Sequence, residues 1–228
     1  MQDATDPIQI VFPGLMDADH ALAASLAADL DGAFRDLVTA HEDRLYTIAL
    51  RLLGDPRDAE EVAQDAFVRA YRAMSGYDAP RIRALRLRPW LASIVVNLSR
   101  NRRRRLDERT PPLQLEPIVD AGGEAAFPDG GAAPHERAAR RETLRTLATA
   151  LAELPPGPRA AVVLRHVDGL SVAETAAALD RPEGTVKAQV SRGLAALRLQ
   201  LAHDPDLGRP GDAGRPRVAL AHRRELSA

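Results

Sequence analysis

The feature that most constrains this chain is a gap in its periodicity. Residues 106–135 hold five Pro and four Gly with almost no regular apolar spacing, whereas helical spacing runs on either side. Such a composition sustains neither a helix nor a sheet ladder and reads as a linker. The chain therefore divides into two units on a tether. Fully extended, a stretch of roughly thirty residues reaches at most about 100 Å. That exceeds the ~35 Å of one DNA turn, so the two units can sit at separate places on one partner.

Both units read as helical. Alanine and leucine dominate and aromatics are scarce, which favours helix over sheet. Phe34, Leu37, Val38, Leu45, Ile48, Ala49 and Leu52 recur at helical spacing until Gly54 closes the segment. Asp55-Pro56 then opens a second helix, with Phe67 on its apolar side and Asp58, Glu61, Gln64 and Asp65 on the other. Pro89 restarts a third, with Trp90, Leu91, Ile94, Val95 and Leu98 inward and Asn97, Arg100, Asn101 and Arg104 outward. The expected architecture is all-α, with a helix-turn-helix in the C-terminal unit. Its boundaries are an acidic N-terminal extension at 1–32, a helical domain at 33–105, a linker at 106–135, a second domain at 136–202 and a tail at 203–228. Met16 to Asp31 could form only a weak helix, and both termini are expected to be unstructured.

Composition excludes several classes. Cysteine is absent and the six histidines are scattered, so no metal and no cofactor is expected. No apolar run reaches membrane-spanning length and the acidic N-terminus lacks a signal peptide's basic start. A cytoplasmic protein without membrane insertion is expected. The net charge of −1 argues against a nucleic-acid binder until its distribution is considered. Residues 1–36 carry seven Asp against one Arg, while residues 81–105 carry nine Arg and no acid. A single-sign block of that density makes a local field that draws phosphate.

Leu170–Arg198 reads as two short helices around a tight turn. Ser171 and Glu174 have the spacing of a capping box, and Pro182 can start the second helix because its missing N–H would be unpaired there. Val186, Val190, Leu194, Leu197 and Leu201 form an apolar stripe in that helix. Ala188, Ser191, Arg192 and Ala195 lie opposite, flanked by Gln189 and by Lys187, the single lysine of the chain. Small and basic residues permit close approach to a DNA groove, with Gln suited to an adenine edge and Lys or Arg to guanine or phosphate. A helical hairpin with a merely solvated polar face is the plainer alternative for this segment alone.

Three stretches in order, Tyr46–Arg72, Arg88–Arg105 and Leu154–Arg198, resemble bacterial RNA polymerase sigma factors of the extracytoplasmic-function group of the sigma-70 family. The resemblance implies a dissociable initiation subunit that binds core RNA polymerase, recognises −10 and −35 promoter elements and helps open the promoter. It assigns Asp58, Glu61, Gln64 and Asp65 to docking on the polymerase β′ subunit, with β as a further partner. It assigns Asn97, Arg100, Asn101 and Arg104 to the −10 element, with Arg102 to Arg105 adding sequence-independent affinity. Thr185, Lys187, Gln189, Ser191 and Arg192 fall to the −35 element. Trp90 fits a core position better than a base-stacking one. An anti-sigma factor is an implied partner, and no catalytic residue is implied. Where relatives often carry Ser-Arg this chain has Ala188-Gln189, and Gly193-Leu194 stands in place of a further basic residue, leaving its recognition helix short of charge. A stand-alone helix-turn-helix regulator is the alternative reading, though it leaves the acidic helix and the arginine block unexplained. A nuclease would need a nucleophile or clustered acids with a base, and none is evident.

Overall fold

The computed structural model describes residues 13–109 and 134–202. Residues 1–12 of the acidic extension, most of the linker and the tail from residue 203 lie outside them. Among the described residues every regular element is helical.

The first unit has five helices: α1 (Pro13–Ala28), α2 (Leu30–Leu53), α3 (Pro56–Met74), α4 (Ala79–Arg83) and α5 (Leu87–Arg109). Local chemistry sets their ends. The Asp29 carboxylate accepts from the Gly32 N–H at 3.0 Å to begin α2, and Gly54, at φ +84°, ends it in the left-handed region. Asp55 caps α3 by accepting from the Asp58 N–H at 2.9 Å, with Pro56 in the first turn. Leu37, Leu45 and Ile48 of α2, Ala66, Ala70 and Met74 of α3, and Leu91 and Val95 of α5 make one buried apolar core. Phe67 is buried, and Trp90 is half-buried against that core, 6.5 Å from the Tyr77 ring. α5 starts at Leu87, two residues before Pro89, which is accommodated within its first turn.

Reading residues 1–32 as an unstructured extension does not hold for α1. This helix packs on α2, α4 and α5, and Ala23 and Leu26 are fully buried in the shared core. Its Ala/Leu pattern is weak alone and is stabilised by the apolar face it meets.

The second unit has α6 (Pro134–Glu153), α7 (Pro156–Val162), a π-helical turn (Val163–Val167), α8 (Val172–Leu179) and α9 (Glu183–Ala202). The two units are in contact: α5 packs along α8, and α2 meets α6, α7 and the π turn.

Candidate nucleic-acid interface

The outer face of α3 presents Glu61, Gln64 and Asp65 to solvent. Asp58 differs. It is half-buried, and its carboxylate accepts from Arg102 Nε of α5 at 2.8 Å, while Arg102 Nη1 lies 2.9 Å from Glu61. The hydrogen bond to Asp58 leads the interactions that hold the Arg102 guanidinium above its ordinary pKa. Arg102 is thus engaged inside the unit and is not a free DNA contact. Arg103 is also half-buried, donating to the Leu52 carbonyl at 3.2 Å. Asn97, Arg100, Asn101 and Arg104 occupy one exposed sector of α5 at i, i+3, i+4, i+7 spacing.

In the second unit the capping box forms as its spacing predicts. Ser171 Oγ accepts from the Glu174 N–H at 3.2 Å, and Glu174 Oε2 accepts from the Ser171 N–H at 2.8 Å. Asp180 takes φ +51° to end α8. Pro182 stands just before α9, one residue earlier than expected, and its carbonyl accepts the Thr185 and Val186 N–H groups at 2.9 and 3.1 Å. Lys187, Ala188, Ser191, Arg192 and Ala195 are exposed on α9, while Thr185 is half-buried.

Gln189 is placed differently from expectation. It is only 8% exposed, turned toward Gly157, whose missing Cβ leaves room for the amide: a methyl there would stand 2.9 Å from Gln189 Nε2. Gly193 explains the burial. A Cβ at this position would lie 2.6 Å from Val162 Cγ2, so α9 meets α7 closely along the Gln189–Gly193 edge. The inward stripe is centred on Val186, Gln189, Gly193 and Leu197, with Val190, Leu194 and Leu201 half-buried at its margin. An Ile/Leu/Val count overlooks a glycine contact, which is why periodicity assigned Gln189 outward.

The surfaces expected to bind separate DNA elements touch at their edges. Asn97 and Arg100 share a cleft with Asp180, Arg181 and Thr185. Its walls are tied by a buried acid that sequence reading missed. The π turn's i→i−5 bond, from the Asp168 N–H to the Val163 carbonyl at 2.9 Å, widens the backbone and sets Asp168 against the first unit. Arg44 engages that carboxylate with two bonds, Nε to Oδ1 at 2.5 Å and Nη2 to Oδ2 at 2.6 Å. Arg88 Nη2 donates to the Asp168 carbonyl at 2.6 Å. Arg86 reaches Glu174 Oε1 at 2.7 Å, so one carboxylate both caps α8 and joins the units. Burial works against the Glu174 carboxylate, but the Ser171 bonds and Arg86 hold it below its usual range. Nothing in the separate spacing of Arg44 and Asp168 signals this pairing.

Comparison with known proteins follows the same division. Residues 37–109 match the family model for sigma-70 region 2, and residues 144–197 match that for sigma-70 region 4. The chain is 34% identical over 174 residues to the ECF RNA polymerase sigma factor SigW of Bacillus subtilis, covering 74% of this chain and 89% of that one. This chain belongs to the ECF sigma factors of the sigma-70 family. It is therefore a factor for promoter-specific transcription initiation. The sigma factor CnrH of Cupriavidus metallidurans is 34% identical to it over 194 residues, covering 83% of this chain and 97% of that relative. A solved structure of CnrH with the cytosolic domain of CnrY superposes with a TM-score of 0.59 at 29% identity, over 82% of this chain and 99% of that one. A sigma factor RpoE from Bartonella quintana, solved with the anti-sigma factor NepR, shares the fold at 22% identity and a TM-score of 0.53, covering 75% and 98%. In this sigma factor region 2 is built on α2, α3 and α5, and region 4 holds the helix-turn-helix of α8 and α9. No described helix is long and apolar enough to cross a membrane.

Proposed function

We propose that this sigma factor docks on core RNA polymerase through the outer face of α3 and reads its promoter with two surfaces that must separate. Glu61, Gln64 and Asp65 face the β′ subunit, and Asp58 braces them from beneath through Arg102; region 4 faces β. Asn97, Arg100, Asn101 and Arg104 take the −10 element, where a basic track with amide donors suits an opened strand. Lys187, Ser191 and Arg192 take the −35 element, with Thr185 at the start of the same helix. Gln189 has no direct base contact in this reading, because its side chain is buried between α7 and α9. The sigma factor carries no catalytic site, works in the cytoplasm, and is held by an anti-sigma factor until released.

The observation that carries this reading is the sorting of exposed charge. Acid and amide groups lie on a helix whose inner face packs against α2 and α5. Exposed basic groups lie on the helices that meet at the cleft. The test is reconstitution with bacterial core polymerase and run-off transcription over genomic promoters. Promoter-dependent transcripts are expected. Lys187→Ala and Arg192→Ala should impair −35-dependent initiation with core binding unchanged, whereas Asp65→Arg should weaken core binding. Tight sequence-specific duplex binding by the isolated chain, without any core binding, would overturn the proposal in favour of a stand-alone regulator.

A further inference from the structure

A second cavity, of about 280 Å³, lies between the two units on the α2–α5–α7 side of the cleft. Among the described residues Arg100, Arg103 and Arg104 of α5, Arg159 of α7 and Arg181 of the helix-turn-helix turn line it, and no acid does. Arg159 is only 3% exposed. Its guanidinium donates to main-chain carbonyls, to Leu52 at 3.0 Å and Leu154 at 2.8 Å, with a further bond to Ala152. Among the described residues no carboxylate stands within ion-pair distance of Arg100, Arg103, Arg159 or Arg181. A buried cation with no counter-ion is costly, and like charges drawn from two domains add to that cost. An anion in the cavity would relieve both.

The remaining lining says what kind of anion. Ser99 Oγ, Gln189 Oε1 and Arg159 Nε are buried without a hydrogen-bond partner among the described residues, and Ser99 and Gln189 are 3% and 8% exposed. An unmade bond at a buried polar atom has a real cost, so the cavity offers specific unfilled positions. The Gln189 carbonyl oxygen needs a donor, which a fully ionised phosphate cannot provide. Leu52, Val96, Ala160 and Leu179 supply an apolar wall beside these polar atoms. A flat ring carrying an amino group meets wall and carbonyl together, and a phosphate group meets the arginines.

We propose that this cavity is a nucleotide site, taking a mononucleotide-sized phosphate ester of an amino-bearing base such as adenine or guanine. Its volume of about 280 Å³ lies just under the roughly 300 Å³ at which ligand pockets begin. A ligand that touches α5, α7 and the helix-turn-helix at once stabilises the arrangement in which they meet, by mass action. Arg100 and Arg104 belong both to this site and to the −10 surface, so bound nucleotide opposes promoter engagement. That consequence rests on the function proposed above; the binding itself does not.

The test is titration calorimetry on the full chain with ADP, GDP, pyrophosphate and adenosine. One-to-one saturable binding by ADP or GDP is expected, with pyrophosphate and adenosine each weaker by about tenfold or more, since each lacks half of the charged or polar contacts. Arg181→Ala, at an exposed turn position, should weaken nucleotide binding about tenfold without changing the melting temperature. Gln189→Leu should bring nucleotide affinity down to that of pyrophosphate. No binding by either nucleotide, or pyrophosphate binding as tightly as ADP and GDP, overturns the site; an unaltered affinity in Arg181→Ala overturns its placement. A separate competition of ADP and GDP against promoter DNA in the polymerase complex then tests only the opposing effect.

Discussion

His41 shows how a single side chain acquires a property that its type does not announce. It lies in α2, 4% exposed, with Asp19 of α1 at 3.5 Å and Arg44 and Arg88 nearby. Burial, reinforced by the two arginines, pushes the imidazole down to about 4. Burial also pushes the Asp19 carboxyl up, against the pull of the same arginines. The folded state thus favours a neutral ring, while the unfolded chain takes the proton near its ordinary value of about 6.5. Stability is then complete above that pH and falls by up to about 3 kcal/mol as the pH drops toward 4. Urea denaturation at about pH 7 and about pH 5 should reveal this loss in the native chain and a much smaller one in His41→Gln; equal losses would remove His41 as the cause. The six histidines were legible in the sequence as scattered, but the burial of this one was not.

At the scale of the element, the ends of helices were readable and the inner edge of α9 was not. Asp55-Pro56, Gly54 and the Ser171–Glu174 pair act over three or four residues, so their spacing is their mechanism. The placement of Gln189 needed the tight approach of α7 at Gly193, a contact between segments more than thirty residues apart in sequence. Replacing Gly193 with Ala gains about 1 kcal/mol of helix propensity but forces a methyl against the stiff Val162 side chain, at about 1–3 kcal/mol. A net loss of about 1 kcal/mol is expected by chemical denaturation, together with a more exposed Gln189. A more stable variant would show that α7 and α9 are less closely packed than the distances indicate. The same logic applies to α1, whose weak intrinsic pattern is ordered by the core it completes.

At the scale of the whole molecule, the two regions are docked on each other, with α5 packed along α8. Asp168, with a side chain 1% exposed, neutralises this junction for Arg44 and Arg88. Replacing it with Ala leaves two largely buried guanidinium groups without that partner, a change of the kind that costs about 3–5 kcal/mol. Small-angle scattering should show a larger radius of gyration for Asp168→Ala than for the native chain, with each region keeping its helical signal. An unchanged radius would mean that apolar packing between α5 and α8 suffices to hold the regions together. A docked pair of regions matters for function because Asn97 and Arg100 share their cleft with Thr185. In the proposed reading, both sets of contacts serve a promoter only after that cleft opens.

The sequence alone determined the all-helical character, the presence of two units, the capping of α2, α3 and α8, and the segregation of charge that marks region 2. These follow from local spacing and composition, which any segment carries with it. Only the tertiary structure decided that α1 belongs to the core, that Gln189 turns inward, that Arg102 is held by Asp58, and that Asp168 binds the two regions. Each depends on which distant side chains share a small, poorly hydrated space, where an unpaired charge or a misplaced methyl is too costly to keep.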